Sequence, residues 1–341
     1  MQHDLQDKLP KEDYLYLQGR GILDDFAPKD IEEYLHTNGG IIGQDEAVKT
    51  AAILVHRHFQ QRCPSVSLFC GPSGCGKTEI WKAVQRYLSR RIIVIVDASS
   101  LSPEGGWKGG NKISNIFRSL PKNSREDIIL ILDEFDKCSG EPQYGSNGTN
   151  YSEIIQNSLL TLFNHDTLFF CSEDGRDSFT VNCTNVSIVL LGAFQHLLEA
   201  KGQDKKALGF GANITQGCNY GDTVITENDL IKYTCLREEI VGRIDRIVTM
   251  QPLTCKDYVR ILATHIDKVS EKIRTPIDID TNALVTIARS AIDTKLGARW
   301  AKHKVDAIID ELVYNDPYAE RFVFRYEPPD ADEKRQSACM E

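Results

Sequence analysis

Residues 71–78 read GPSGCGKT. Glycines at 71, 74 and 76 leave the backbone free to turn its N–H groups inward around an anion, and the lysine that follows supplies a compact cation. Such a loop binds the phosphates of a nucleotide. Lys77 is placed for the β- and γ-phosphates and the Thr78 hydroxyl for Mg²⁺, while a helix running from Glu79 adds its positive N-terminal end. Gly71, Gly74, Cys75, Gly76, Lys77, Thr78 and Glu79 are therefore the candidate binding segment for ATP or GTP. Farther along, ILILDEFDK (129–137) ends an apolar run in two adjacent carboxylates. Asp133 suits Mg²⁺, through its water shell, and Glu134 suits polarising an attacking water.

This chemistry needs a sheet edge to hold it. SVSLFC (65–70) reads as a short strand leading into the glycine loop, and EIWKAVQRYLSR as the helix leaving it, with Ile80, Ala83, Val84, Tyr87 and Leu88 on one face. RIIVIVDA (91–98), DIILILDEFDK (127–137), NVSIVLLGAF (185–194) and RIVTMQP (246–252) are further buried strands by their continuous apolar content. Before them, Asn38-Gly39-Gly40 ends a short helix, and Ala47, Ala51, Leu54, Val55 and His58 recur at helical spacing. Strands separated by helices predict an α/β domain with a five-stranded parallel sheet covered on both faces. After residue 252 the pattern turns to amphipathic helices. The expected organisation is a polar leader (1–27), a large nucleotide-binding domain (28–252), a smaller, mostly helical domain (253–326) and a polar tail (327–341).

The 341 residues suffice for two domains, and 41% hydrophobic with 26% charged residues is the composition of a soluble globular protein. A net charge of −9 and a pI near 5.5 argue against a general nucleic-acid binder. No apolar run is long enough to span a membrane, and the first residues carry no secretory signal. The ten cysteines include no CxxC pair; reduced thiols in the cytoplasm are the simplest expectation.

The stretches IIGQDEAVKTAAILVHRHF, GPSGCGKTEI, ILDEFDK, VLLGAF, LGFGA, DLIKYTCLREEIVGRIDRIVTMQPLT and LGARWAKHKVDAIIDELVY stand in an order and spacing that resembles the ClpX-type AAA+ unfoldases, the ATP-binding subunits of Clp proteases. The resemblance runs from about Pro28 to Tyr314. HslU unfoldases share several of these motifs but carry a long inserted domain for which this chain has little room. The resemblance implies a homohexameric ring with ATP and Mg²⁺ bound between subunits, unfolded or tagged proteins as substrates, and a ClpP-like peptidase as partner. It implies that Ile42 lies against the adenine, that Arg243 is an arginine finger reaching a neighbour's γ-phosphate, and that Arg299 is the sensor-2 arginine. Arg237 and Arg246 compete with Arg243 for that role.

The odd run PEGGWKGGN (103–111) falls where ClpX-like proteins carry their first pore loop, so Gly106, Trp107, Lys108 and Gly109 are expected to grip substrate. The family has an aliphatic residue where this chain has Lys108. Leu208, Gly209 and Phe210 match the tripeptide that docks into ClpP. The chain departs from the family in three places. No cysteine precedes Cys63, so the family's amino-terminal zinc-binding domain is not expected here. The second pore loop, GEPQYGSNGTNYSEI, lacks its basic residue. SEDGRDSF (172–179) stands in place of a basic loop as a hairpin turn around Asp174-Gly175. No polar sensor-1 residue is evident in LLGAFQH. Two activities fit the pattern: an unfoldase feeding a peptidase, or a remodeller of assemblies that works without one.

Overall fold

A computed structural model describes residues 26–102, 112–122, 125–139, 150–171, 178–207 and 224–326. The chain divides into two compact units, 1–252 and 253–341. In the first, α1 (Pro28–His36) and α2 (Asp45–Gln61) precede β1 (Val66–Cys70), and α3 (Lys77–Tyr87) leads to β2 (Ile92–Asp97). There follow α4 (Ile113–Ser119), β3 (Ile128–Asp133), α5 (Tyr151–Phe163), β4 (Thr167–Cys171), β5 (Ser178–Asn182) and β6 (Val186–Gly192). The unit closes with α6 (Gln195–Ala207), α7 (Glu227–Tyr233), α8 (Glu238–Val241) and β7 (Arg246–Thr249).

Five strands form one parallel sheet in the order β2-β3-β6-β1-β7. Its strands have no polar face because both faces are covered. Successive residues point to opposite sides, so Leu68, Ile128, Leu130, Ile188 and Leu190 enter one core with α4, α5 and the β4–β5 pair. Phe69, Ile129, Ile131, Val189 and Leu191 enter another with α1, α2 and α3. The α2 residues spaced for a buried face are buried, as are those of α3. Trp81 joins them, its ring edge-on to Phe69 at 5.5 Å. α3 begins at Lys77 rather than Glu79. The left-handed turn at Gly76 (φ 104°) delivers the chain into helical geometry at once, a move open to glycine and invisible in helix propensity. β4 and β5 pair antiparallel, with Phe170 opposite Phe179, as a hairpin requires.

At the N-terminal edge of the sheet, His58 Nδ1 is 2.9 Å from Ser187 Oγ. His58 Nε2 is 3.3 Å from Asp127 Oδ1, and the other Asp127 oxygen pairs with Arg62 at 2.6 Å. Burial holds the His58 imidazole below its ordinary pKa against the pull of Asp127. The Asp127 carboxyl also lies below its ordinary pKa: burial raises it, but hydrogen bonds from His58 and Arg62 outweigh that. Ser187 is fully buried, so this trio staples α2 to the sheet and offers no reachable nucleophile.

The second unit holds α9 (Cys255–Ile273), α10 (Thr281–Asp293) and α11 (Gly297–Asn315) around a core that includes Leu262, Ala288, Ala301 and Val305. A capping box starts α9: Asp257 N–H donates to Thr254 Oγ1 at 3.2 Å, and Thr254 N–H to Asp257 Oδ2 at 3.0 Å. The unit also contains β8 (Ile277–Ile279) and β9 (Phe322–Phe324), paired in parallel, which the helical reading of this region does not include. At three residues each they are too short for alternation to show.

Candidate nucleotide site

The glycine loop sits at the C-terminal edge of the sheet between β1 and α3, and its root is strapped on both sides. Gly71 N–H donates to Gly192 O of β6 at 3.2 Å, and Met250 N–H, just past β7, donates to Cys70 O at 2.7 Å. A Cβ on Gly71 would lie 2.7 Å from Met250 Cβ, so only glycine fits there. Gly74 and Gly76 hold positive φ, 76° and 104°. Cys75 is buried beneath the loop, and burial raises its thiol pKa. Cys70 is pushed up to about 12 by the same cause, so both stay protonated.

Lys77 Nζ donates to the loop's own carbonyls, Gly71 O at 2.6 Å and Pro72 O at 2.9 Å. A phosphate oxygen would exchange these neutral acceptors for a charged one, a stronger bond. Thr78 Oγ1 donates to Asp133 Oδ2 at 2.7 Å. The two motifs, far apart in sequence, thus converge on one pair of oxygens, a hydroxyl and a carboxylate. That donor set fits a hard divalent cation such as Mg²⁺. Glu134, next along, is exposed and held in left-handed geometry (φ 54°), its N–H donating to Asp133 Oδ1 at 3.0 Å. A non-glycine residue in that region carries about 1 kcal/mol or more of strain, here absorbed by the sharp turn off β3.

Beside them, Asp97 ends β2 in register with Asp133, its Oδ1 accepting from Ser99 N–H at 2.9 Å and Ser99 Oγ at 2.6 Å. On the other flank, Ile42 is half-buried next to buried Ile41. The stretch that holds it is fastened by Gln44, whose Nε2 donates to Gln251 O at 2.6 Å while its Oε1 accepts from Gln251 N–H at 3.1 Å.

Residues 67–193 match the family model "ATPase family associated with various cellular activities (AAA)". The chain is also 26% identical over 328 residues to the ATP-dependent Clp protease ATP-binding subunit ClpX of Treponema denticola, covering 85% of this chain and 77% of that protein. The chain carries an AAA ATPase domain and is similar to ClpX over most of its length.

Of the three arginines that compete for one role, the structure of the ATPase sets Arg237 apart. Arg237 is tied to its own chain: its guanidinium meets Glu239 at 3.1 and 3.3 Å and also Asn157 Oδ1. Arg246 lies exposed on the edge strand β7. Arg243 is exposed between buried Val241 and Ile244, and makes no ion pair with any described residue. Arg299 is exposed in the first turn of α11, in the second unit. Glu79 is exposed in the first turn of α3 and pairs with Lys82 at 3.2 Å.

Gly106, Trp107, Lys108 and Gly109 lie outside the described residues, as do Leu208, Gly209 and Phe210. Most of the second-pore-loop stretch (140–149) and residues 172–177 do too. Gln44 and Asp97, which frame the site, and Gln156 of α5, whose amide grips the backbone at 235 and 237, are absent from the sequence-based expectations. Asp97 carries a usable signal, an aspartate ending an apolar strand just as Asp133 does. Gln156 carries another, a polar side chain at a core-facing helical position. Gln44 carries none.

Proposed function

We propose that this ATPase is a protein unfoldase and translocase. It works as a homohexameric ring in the cytoplasm and threads protein substrates through its pore into a ClpP-type peptidase. The observation that carries the reading is the extent of the likeness to ClpX: it covers 85% of the chain, well beyond the nucleotide-binding segment at 67–193. No described helix is long and apolar enough to cross a membrane.

The roles follow from the chemistry at hand. Backbone N–H groups of 71–78 and Lys77 hold the phosphates, and Ile42 packs on the adenine. Thr78 and Asp133 are the residues that would hold Mg²⁺, which when bound supplies charge neutralisation at the phosphates. Glu134 orients and polarises the attacking water. Arg243 makes no ion pair with any described residue, which supports its reaching a neighbouring subunit's γ-phosphate, and Arg299 is the sensor-2 arginine. Trp107, flanked by glycines, grips substrate by shape and apolar contact, and Leu208-Gly209-Phe210 dock the peptidase.

The test is reconstitution with a ClpP-type peptidase and a tagged fluorescent protein. Deleting 208–210 should abolish degradation and spare ATP hydrolysis and unfolding. Trp107→Ala should keep ATP hydrolysis and lose unfolding. Glu134→Gln with ATP should trap substrate on the ring. Degradation that survives the deletion would sink the docking assignment, and unfolding that never yields peptides would favour a remodeller acting without a peptidase.

A further inference from the structure

Gln156 is a polar side chain in an apolar place. It lies on α5 with 3% of its surface exposed, and both ends of its amide are engaged. Nε2 donates to Cys235 O at 3.1 Å, and Oε1 accepts from Arg237 N–H at 3.1 Å. The grip is on the backbone at 235 and 237, the entry to the short helix α8. From Arg237 onward the chain is rigidly wound. Arg237 O accepts from Ile240 and Val241 N–H, Glu238 O from Gly242 N–H, and Ile240 O from Arg243 N–H at 3.0 Å. A second anchor follows, where Asp245 exchanges two bonds with Val66 of β1: Asp245 N–H donates to Val66 O and Val66 N–H to Asp245 Oδ2, each at 2.8 Å. Arg243 therefore stands on a wound turn held at both ends, by Gln156 before it and by β1 after it.

We propose that Gln156 is a positioning residue for Arg243: it holds the backbone of 235–237 so that the guanidinium of Arg243 is presented at a fixed place to the neighbouring subunit. The proposal rests on the reading of Arg243 as the group that reaches a neighbour's phosphate. A long side chain acting on a transferring phosphoryl group must arrive in place, and a misplacement of about 1 Å can lower turnover by about 100-fold. Asn157, the next residue of α5, reinforces the arrangement by holding the Arg237 guanidinium, which keeps that competing cation on its own chain. The same turn of α5 thus fastens one arginine away and sets the other out.

The experiment measures steady-state ATP hydrolysis by the assembled protein, with kcat and KM separated, and nucleotide binding by equilibrium titration. Gln156→Leu removes both bonds at nearly constant volume. It should lower kcat by about 10- to 100-fold while leaving KM and nucleotide affinity within about twofold, since nothing on the binding side is touched. Gln156→Glu keeps the acceptor for Arg237 N–H and loses the donor to Cys235 O, so its kcat should fall between the two; if Gln156→Leu does not fold, this variant decides. In an Arg243→Ala background, Gln156→Leu should lower kcat no further, because both changes remove the same contribution. A folded Gln156→Leu or Gln156→Glu protein with wild-type kcat overturns the proposal. So do losses that multiply in the double variant, the mark of a merely structural role. If Arg243→Ala alone hydrolyses ATP at the wild-type rate, the assignment of Arg243 itself has failed, and that outcome is separate from the other two.

Discussion

Gly71→Ala adds one methyl group where the structure leaves no room. The new Cβ would lie 2.7 Å from Met250 Cβ, 3.0 Å from Cys75 Sγ and 3.1 Å from Met250 O, whereas ordinary contact begins near 3.4 Å. The loop root and the end of β7 must part by about 0.7 Å. Taken along the Met250 N–H bond to Cys70 O, that shift lengthens 2.7 Å to about 3.4 Å, past the useful range. Overpacking of this kind costs about 1–3 kcal/mol. If the loop moves to relieve it, the cost appears in phosphate binding, about 5- to 150-fold in Kd at 1.4 kcal/mol per decade. Equilibrium titration with a fluorescent ATP analogue, run beside thermal unfolding, reads both forms of the cost. A compensating change separates this contact from its surroundings. Met250→Ala keeps the Cβ and should give no relief, whereas Met250→Gly removes it and should restore part of the loss in a double-mutant cycle. Unchanged affinity and unchanged melting in Gly71→Ala, or equal rescue by both Met250 variants, would refute the reasoning.

The Ser187–His58–Asp127 trio at the other edge of the sheet makes the protein acid-sensitive. His58 and Asp127 both have folded-state pKa values below the ordinary 6.5 and 3.8, so the unfolded chain takes up protons first and stability falls as pH drops, through His58 below about 6.5 and through Asp127 below about 3.8. Melting temperature followed from pH 8 to pH 5 should fall for the wild type and fall less for His58→Gln; equal slopes would remove His58 from the account. Trp81 is fully buried and its indole N–H finds no acceptor among the described residues, so replacing it with another aromatic ring gives up no hydrogen bond. Trp81→Phe should cost under about 1.5 kcal/mol and Trp81→Ala about 3–5 kcal/mol in urea unfolding, and a Phe variant as unstable as the Ala variant would contradict this.

The large unit was legible in the sequence because its strands are buried on both faces. Ile128–Leu132 and Val186–Leu191 read as unbroken apolar runs, and such runs occur where helices cover a parallel sheet from both sides. The phosphate loop was legible because its chemistry demands particular residues at fixed spacing, and the Thr78–Asp133 contact brings its two halves together. The three-residue strands β8 and β9 were not, being too short to carry a period. The amide grips of Gln44 and Gln156 were not, because each acts on backbone more than seventy residues away and leaves no local pattern. That Arg237 is already held by Glu239 and Asn157 of its own chain is a property of packing that the sequence does not display.

The amide of Gln44 joins the segment just before α2 to the segment just after β7. In mechanical terms it is a buckle between the stretch that leads into α2 and the way out of the nucleotide-binding unit, next to Pro252 where that unit ends. Load applied to the chain beyond 252 meets these two bonds, worth about 1 kcal/mol each, before it reaches the strand. These bonds give the stretch that holds Ile42 and the chain's exit at residue 251 a single support. The same two bonds stand between that exit and β7, whose neighbour Met250 straps the phosphate loop at Cys70.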